Sequence, residues 1–138
     1  MERTNFERLR VYKLAENLSD RIWDVVLKWE YLAKDTVGKQ MIRAADSIGA
    51  NIAEGTGRGS LDDNRRYIRM ARGSLYETQH WLRRSYKRSL LNKQQVNSLQ
   101  PIIAELSPTL NAYFRSVNQA ALDQRKQSTK NKAQRSIG

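Results

Sequence analysis

Residues 60–88 read SLDDNRRYIRMARGSLYETQHWLRRSYKR, and the spacing of their apolar positions predicts one long helix with two opposed faces. At about 100° per residue, Ile68, Ala71, Leu75, Thr78, Leu82 and Tyr86 fall in a narrow stripe. Such a stripe needs a core to cover it. Arg65, Arg69, Arg72, Arg83 and Lys87 form a second strip with Tyr76 set among them, and Arg66, Arg84 and Arg88 widen the basic surface. A solvated helix face is the plain reading of any run of charges. Here, however, Asp62, Asp63 and Glu77 are the only acids against eight Lys and Arg, so pairs along the helix leave it strongly positive. That imbalance favours an anion-binding surface.

On the N-terminal side, Gly55, Gly57 and Gly59 break the preceding helix in the segment GTGRG. A phosphate-cradling loop would follow a strand, end in Gly-Lys-Ser or Gly-Lys-Thr, and keep acids away. None of this holds here: Asp62 and Asp63 stand where the phosphate would sit. The glycines read as helix-end and turn residues, and Ser60 with Asp63 as the cap of the long helix.

A helix is expected over roughly residues 36–54, with Val37, Met41, Ala44, Ile48 and Ile52 as its spine. Gln40, Arg43, Ser47, Asn51 and Glu54 line one flank as a polar seam. With one carboxylate and no cluster of ligands, the seam lacks the makings of an acid–base pair or a metal site. Hydrogen bonds to an adjacent helix or subunit are its expected use. Further back, Leu14, Leu18, Ile22, Val25 and Trp29 predict a helix over 6–32, with residues 33–36 as the connection. Trp23 lies off that stripe, as a half-exposed packing residue or a second contact surface.

On the C-terminal side, Asn92 and Gln95 suggest another cap, and Val96, Leu99, Ile103, Leu106, Leu110, Tyr113 and Val117 continue at helical spacing. Pro101 and Pro108 fall inside this helix and predict that it is kinked or divided, or that Pro108 begins a new segment capped by Ser107. Residues 123–138, DQRKQSTKNKAQRSIG, lose apolar periodicity and read as a basic, disordered tail. With five Lys and Arg against one Asp the tail is +4, which leaves +7 of the chain's +11 for residues 1–122. Amphipathic helices joined by short connections make an all-α, antiparallel up-and-down four-helix bundle over residues 1–122 the expected fold.

A 138-residue chain is one domain by size. Its pI near 10.3 predicts salt-sensitive attraction to polyanions, nucleic acid before membrane. No apolar run approaches the ~20 residues of a membrane span. MERTNFERLR has no signal-peptide core, and cysteine is absent; both agree with a cytoplasmic location. No cofactor or metal is expected.

FERLRVY at 6–12, GKQMIRAADSIGANIAEGTGRGS at 38–60 and YIRMARGSLYETQHWL at 67–82 resemble a family of small bacterial four-helix bundles first noticed as reading frames in intervening sequences of 23S ribosomal RNA genes. The resemblance covers roughly residues 5–118. Its most specific positions are Gln40, Arg43, Ser47, Asn51, Glu54, Gly55, Ser74 and Glu77. A more distant similarity links the chain to the accessory variability determinant of diversity-generating retroelements. The resemblance implies a ring-shaped homopentamer and, through the retroelement branch, nucleic-acid binding beside a reverse transcriptase. Gly49 departs from the proline usual in the family, and Pro101 and Pro108 are additions to its pattern.

The expected function is therefore non-catalytic binding of RNA or single-stranded DNA backbone through Arg65, Arg66, Arg69, Arg72, Tyr76, Arg83, Arg84, Lys87 and Arg88. The alternative is a scaffolding module with Trp23 and Trp81 as contacts. An enzyme of the HEPN ribonuclease type would pair a closely spaced Arg and His, whereas seven residues separate Arg72 from His80, the only histidine.

Overall fold

The structure, a computed structural model, describes residues 6–137. Those parts of the expected domain and of the expected tail that fall on residues 1–5 and 138, and the start of MERTNFERLR, lie outside the described residues. The chain runs through a 3-10 turn (Phe6–Arg8), α1 (Arg10–Val26), a short α2 (Tyr31–Ala33), a π-helical turn (Lys34–Gly38), α3 (Lys39–Thr56), α4 (Leu61–Lys87) and α5 (Lys93–Ile137). Among the described residues there is no strand. Short connections force consecutive long helices antiparallel. The helix α3 packs on α1 and α4, and α5 packs on α4 and closes back onto α1. The result is an all-α four-helix bundle.

Each helix gives one stripe to the core: Leu18 and Ile22 from α1, Met41, Ile48 and Ile52 from α3, Ile68 and Leu75 from α4, Leu106 and Leu110 from α5, all essentially without solvent contact. Both expected caps are present. Ser60 Oγ accepts the backbone N–H of Asp63 at 3.1 Å, and Asn92 and Gln95 exchange side-chain and backbone bonds at 2.8 and 2.9 Å. At the end of α4 the Leu90 N–H reaches back to the Ser85 carbonyl at 2.8 Å. That closure places Ser89 in the left-handed region, with φ 60°.

Five expectations need correction. The first helix ends at Val26 instead of Leu32, because the N–H groups of Lys28 and Trp29 bond three residues back and tighten the chain into a turn. Residues 33–36, expected as a connection, are helical. Gly38 makes this possible, since a Cβ there would come 2.6 Å from Val26 Cγ1. In α4, Ser85 is buried and Tyr86 is 51% exposed: the seam follows the seven-residue step from Thr78 to Ser85, and Tyr86 is turned outward.

The fourth helix is not divided at its prolines. Pro101 and Pro108 are exposed, as are Asn97 and Ala104, whose carbonyls lose their helical donors. On an exposed face such oxygens are open to solvent, which removes much of the usual cost of an interior proline. Nor is the tail disordered: α5 continues through it to Ile137. The packed part of α5 supplies the costly nucleus, and Gln, Lys, Arg and Ala propagate the helix without an intervening Gly or Pro.

Candidate nucleic-acid interface

The basic strip of α4 separates into two halves with different surroundings. In the N-terminal half the cations are engaged with their own molecule. The Arg65 side chain is only 15% exposed; its Nη1 donates to Asn118 Oδ1 at 2.7 Å, and its Nη2 is paired with Asp62. Arg66 lies 3.8 Å from Asp63 and 5.2 Å above the Tyr67 ring. Arg69 and Arg72 stack on Phe114 of α5, at 5.2 and 5.4 Å from the ring centroid. These contacts hold α4 and α5 together as much as they present charge.

The C-terminal half is different. Among the described residues, Arg83, Arg84, Lys87 and Arg88 have no carboxylate within ion-pairing distance. The nearest acid in the helix, Glu77, accepts the Trp81 indole N–H at 3.3 Å. A helix C-terminus itself attracts cations, but its dipole amounts to about half a negative charge. Four cations leave a surplus of about three and a half charges at this end of the helix, with Arg83, Lys87 and Arg88 exposed and Arg84 half-buried. Tyr76, 62% exposed, stands between the two halves and offers a free ring for stacking. Arg72 and Arg83 are eleven residues apart in sequence, about 16 Å along the axis, so the strip has two separate clusters.

The polar seam of α3 turns mostly inward on its own helix. The Ser47 hydroxyl donates to the Arg43 carbonyl at 2.7 Å and the Asn51 amide to the Ser47 carbonyl at 2.9 Å. Ser74 in α4 does likewise toward Met70 at 3.1 Å. The expected bonds across helices are not made by these groups, because short side chains on a helix reach the carbonyl one turn back more readily than a neighbouring helix. Gln40 and Arg43 are exposed. Glu54 does reach outward, through Arg58 at 2.6 Å, and Arg58 in turn donates to the Tyr67 hydroxyl at 2.8 Å. Gly55 is buried where α3 meets α4.

His80 is exposed and packs edge-on against Trp81, 4.8 Å between ring centroids. Arg72 lies two turns away, about 12 Å along the axis, with its guanidinium on Phe114. The two are not assembled into a catalytic pair. Among the described residues no group of three or more His, Cys, Asp or Glu is placed to hold a metal ion, and no helix is long and apolar enough to cross a membrane.

A second surface lies away from α4. An open, mainly apolar groove of about 590 Å3 runs between the end of α1 and α3, lined by Trp23, Leu27, Tyr31 and Ile42 with Lys39 and Arg43 on its rim. Trp23 and Leu27 are each 49% exposed, Tyr31 78% and Leu32 76%. Trp23 signalled this surface in the sequence by standing off its stripe. Leu27, Tyr31 and Leu32 were hidden by the assumption that the first helix ran on.

Residues 7–112 match the family described as 23S rRNA-intervening sequence protein. The chain belongs to that family. Its matched region takes in α1, α3, α4 and the first part of α5, and ends short of the basic extension. A solved structure of a protein of unknown function from the S23 ribosomal protein family of Bacteroides thetaiotaomicron is similar in fold. Its TM-score is 0.67 at 23% identity, over 76% of this chain and 95% of that one. No curated protein matches this chain.

Proposed function

We propose that this member of the intervening-sequence family is a non-catalytic nucleic-acid-binding protein that holds RNA or single-stranded DNA by its phosphate backbone. The observation that carries the reading is the C-terminal half of α4, where Arg83, Arg84, Lys87 and Arg88 have no acidic partner among the described residues. Cations left unneutralised on a rigid helix release counterions when they meet phosphates, and four of them give log K a dependence on log salt of about −3 for a single strand. Tyr76 adds sequence-tolerant stacking. Titrating a fluorescent uridine oligonucleotide at several KCl concentrations tests this. A slope near zero ends the reading.

The proposal includes a ring-shaped homopentamer. Trp23, Leu27, Tyr31 and Leu32 form an apolar surface beside a groove, of the kind that monomers seldom leave uncovered. The native mass, and its fall in a Tyr31→Ser/Leu32→Ser variant, test the assembly. The same surface favours a second reading, in which the bundle is a scaffold for another protein and its charge is incidental. Service beside a reverse transcriptase combines the two readings, and copurification that survives nuclease and high salt tests it.

A further inference from the structure

The last part of α5 leaves the bundle. After Ala121, every residue from Leu122 to Ile137 is exposed, so α5 projects as a free helical arm about 24 Å long. It carries Arg125, Lys126, Lys130, Lys132 and Arg135 against Asp123 alone. At about 100° per residue these five cations spread over roughly 220° of the circumference. Gln124, Gln127, Asn131 and Gln134 occupy the remainder, and Gln127 is bonded to Asn131 at 3.1 Å.

This distribution excludes the common reasons for an exposed helix. Leu122, Ala133 and Ile137 are its only apolar residues; they share one side of the helix, but Leu122 stands eleven residues from the nearer of the other two and one of the three is an alanine, too sparse a row to lay on another protein or into a lipid interface. Lys126 and Lys130, one turn apart, repel each other and weaken an isolated helix. A ligand that supplies negative charge along the arm relieves that repulsion. The root is fixed in place: Arg125 Nη2 lies 3.0 and 3.2 Å from the two carboxylate oxygens of Asp62, at the start of α4. The arm therefore leaves from the end of α4 opposite to Arg83–Arg88, about 39 Å away along that helix.

We propose that the arm is a second nucleic-acid-binding element, gripping RNA phosphates through Lys126, Lys130, Lys132 and Arg135 while its Gln and Asn side chains bond to sugars and base edges, with Arg125 held on Asp62 as its anchor. This rests on reading the chain as a backbone binder, but on different residues, outside the region matched to the family. A strand long enough to span both ends of α4 engages the two cation clusters together, and the second contact then forms at high effective concentration.

The test uses the full chain, a variant with Lys126, Lys130, Lys132 and Arg135 changed to Gln, and a variant with Arg83, Arg84, Lys87 and Arg88 changed to Gln. Each is titrated with a thirty-nucleotide uridine oligonucleotide across KCl concentrations, with the bundle's Tm as a control on folding. Loss of four contacts makes the salt slope of the arm variant shallower by about 2.8. The unaltered chain then loses roughly 20-fold more affinity than the arm variant between 50 and 150 mM salt. An arm variant with the slope of the unaltered chain overturns the inference, whatever the α4 variant does. If the arm variant alone is affected, the inference holds and the assignment to α4 fails. No binding by the unaltered chain overturns both.

Discussion

Gly55 lies so close to Tyr67 that a Cβ added to it would come 2.8 Å from the Tyr67 Cβ and 2.7 Å from Asn64 Oδ1. The junction of α3 and α4 is therefore fitted to a missing side chain. Gly55→Ala forces the two helices apart and is expected to cost about 1–3 kcal/mol. Gly73, in the middle of α4, has nothing within 4 Å of an added Cβ. There Gly73→Ala should stabilise by up to about 1 kcal/mol through helix propensity. Thermal melts of the two variants should move in opposite directions.

Ser89 closes α4 with a φ of 60°, where a side chain is strained and glycine is not. Ser89→Gly should raise stability by about 1 kcal/mol, read as a higher urea midpoint with unchanged slope. A lower midpoint would show that the serine side chain contributes more than the strain removes.

The two halves of the basic strip should respond differently to loss of charge. Arg65→Gln abandons Asn118 and Asp62 at a mostly buried site, and should cost about 1–3 kcal/mol of stability. Arg88→Gln should leave stability within about 0.5 kcal/mol while lowering the salt slope of oligonucleotide binding by about 0.7. Paired melting and binding curves check both.

Asp62 accepts hydrogen bonds from Arg65 and from Arg125, which hold its carboxyl below the ordinary carboxylate range. The unfolded chain takes up this proton more readily than the folded one. Stability from Asp62 is thus present in full above the ordinary carboxylate pKa and is lost as pH falls through the depressed value. Asp62→Asn should lower Tm at about pH 7 and converge with the unaltered chain in strong acid; a gap independent of pH contradicts the assignment.

Much of the bundle was legible in the sequence because burial obeys periodicity. Ile68, Ala71, Leu75 and Thr78 stand where the stripe predicts, as do Met41, Ala44, Ile48 and Ile52. Periodicity is silent about where a helix stops when apolar residues continue past its end, so Trp29 and Leu32 concealed the turn after Val26. It is equally silent about partners from a distant part of the chain. Nothing near Arg65 in sequence announces Asn118, and nothing near Arg69 or Arg72 announces Phe114. The engaged half and the open half of the strip therefore looked alike. The arm was misread because lack of an apolar stripe says that a helix is unpacked, and not that the backbone leaves the helical path already begun upstream.

Pro101 and Pro108 stand seven residues apart, two turns of α5, so the carbonyls they leave without donors, at Asn97 and Ala104, open on one side about 10 Å from each other. In that stretch the helix is short of its own internal bonds and depends on its packing against α1 and α4. A peptide cut from this part of the sequence should be largely coil in water, and in the intact protein its amides should exchange with solvent as soon as the bundle loosens there.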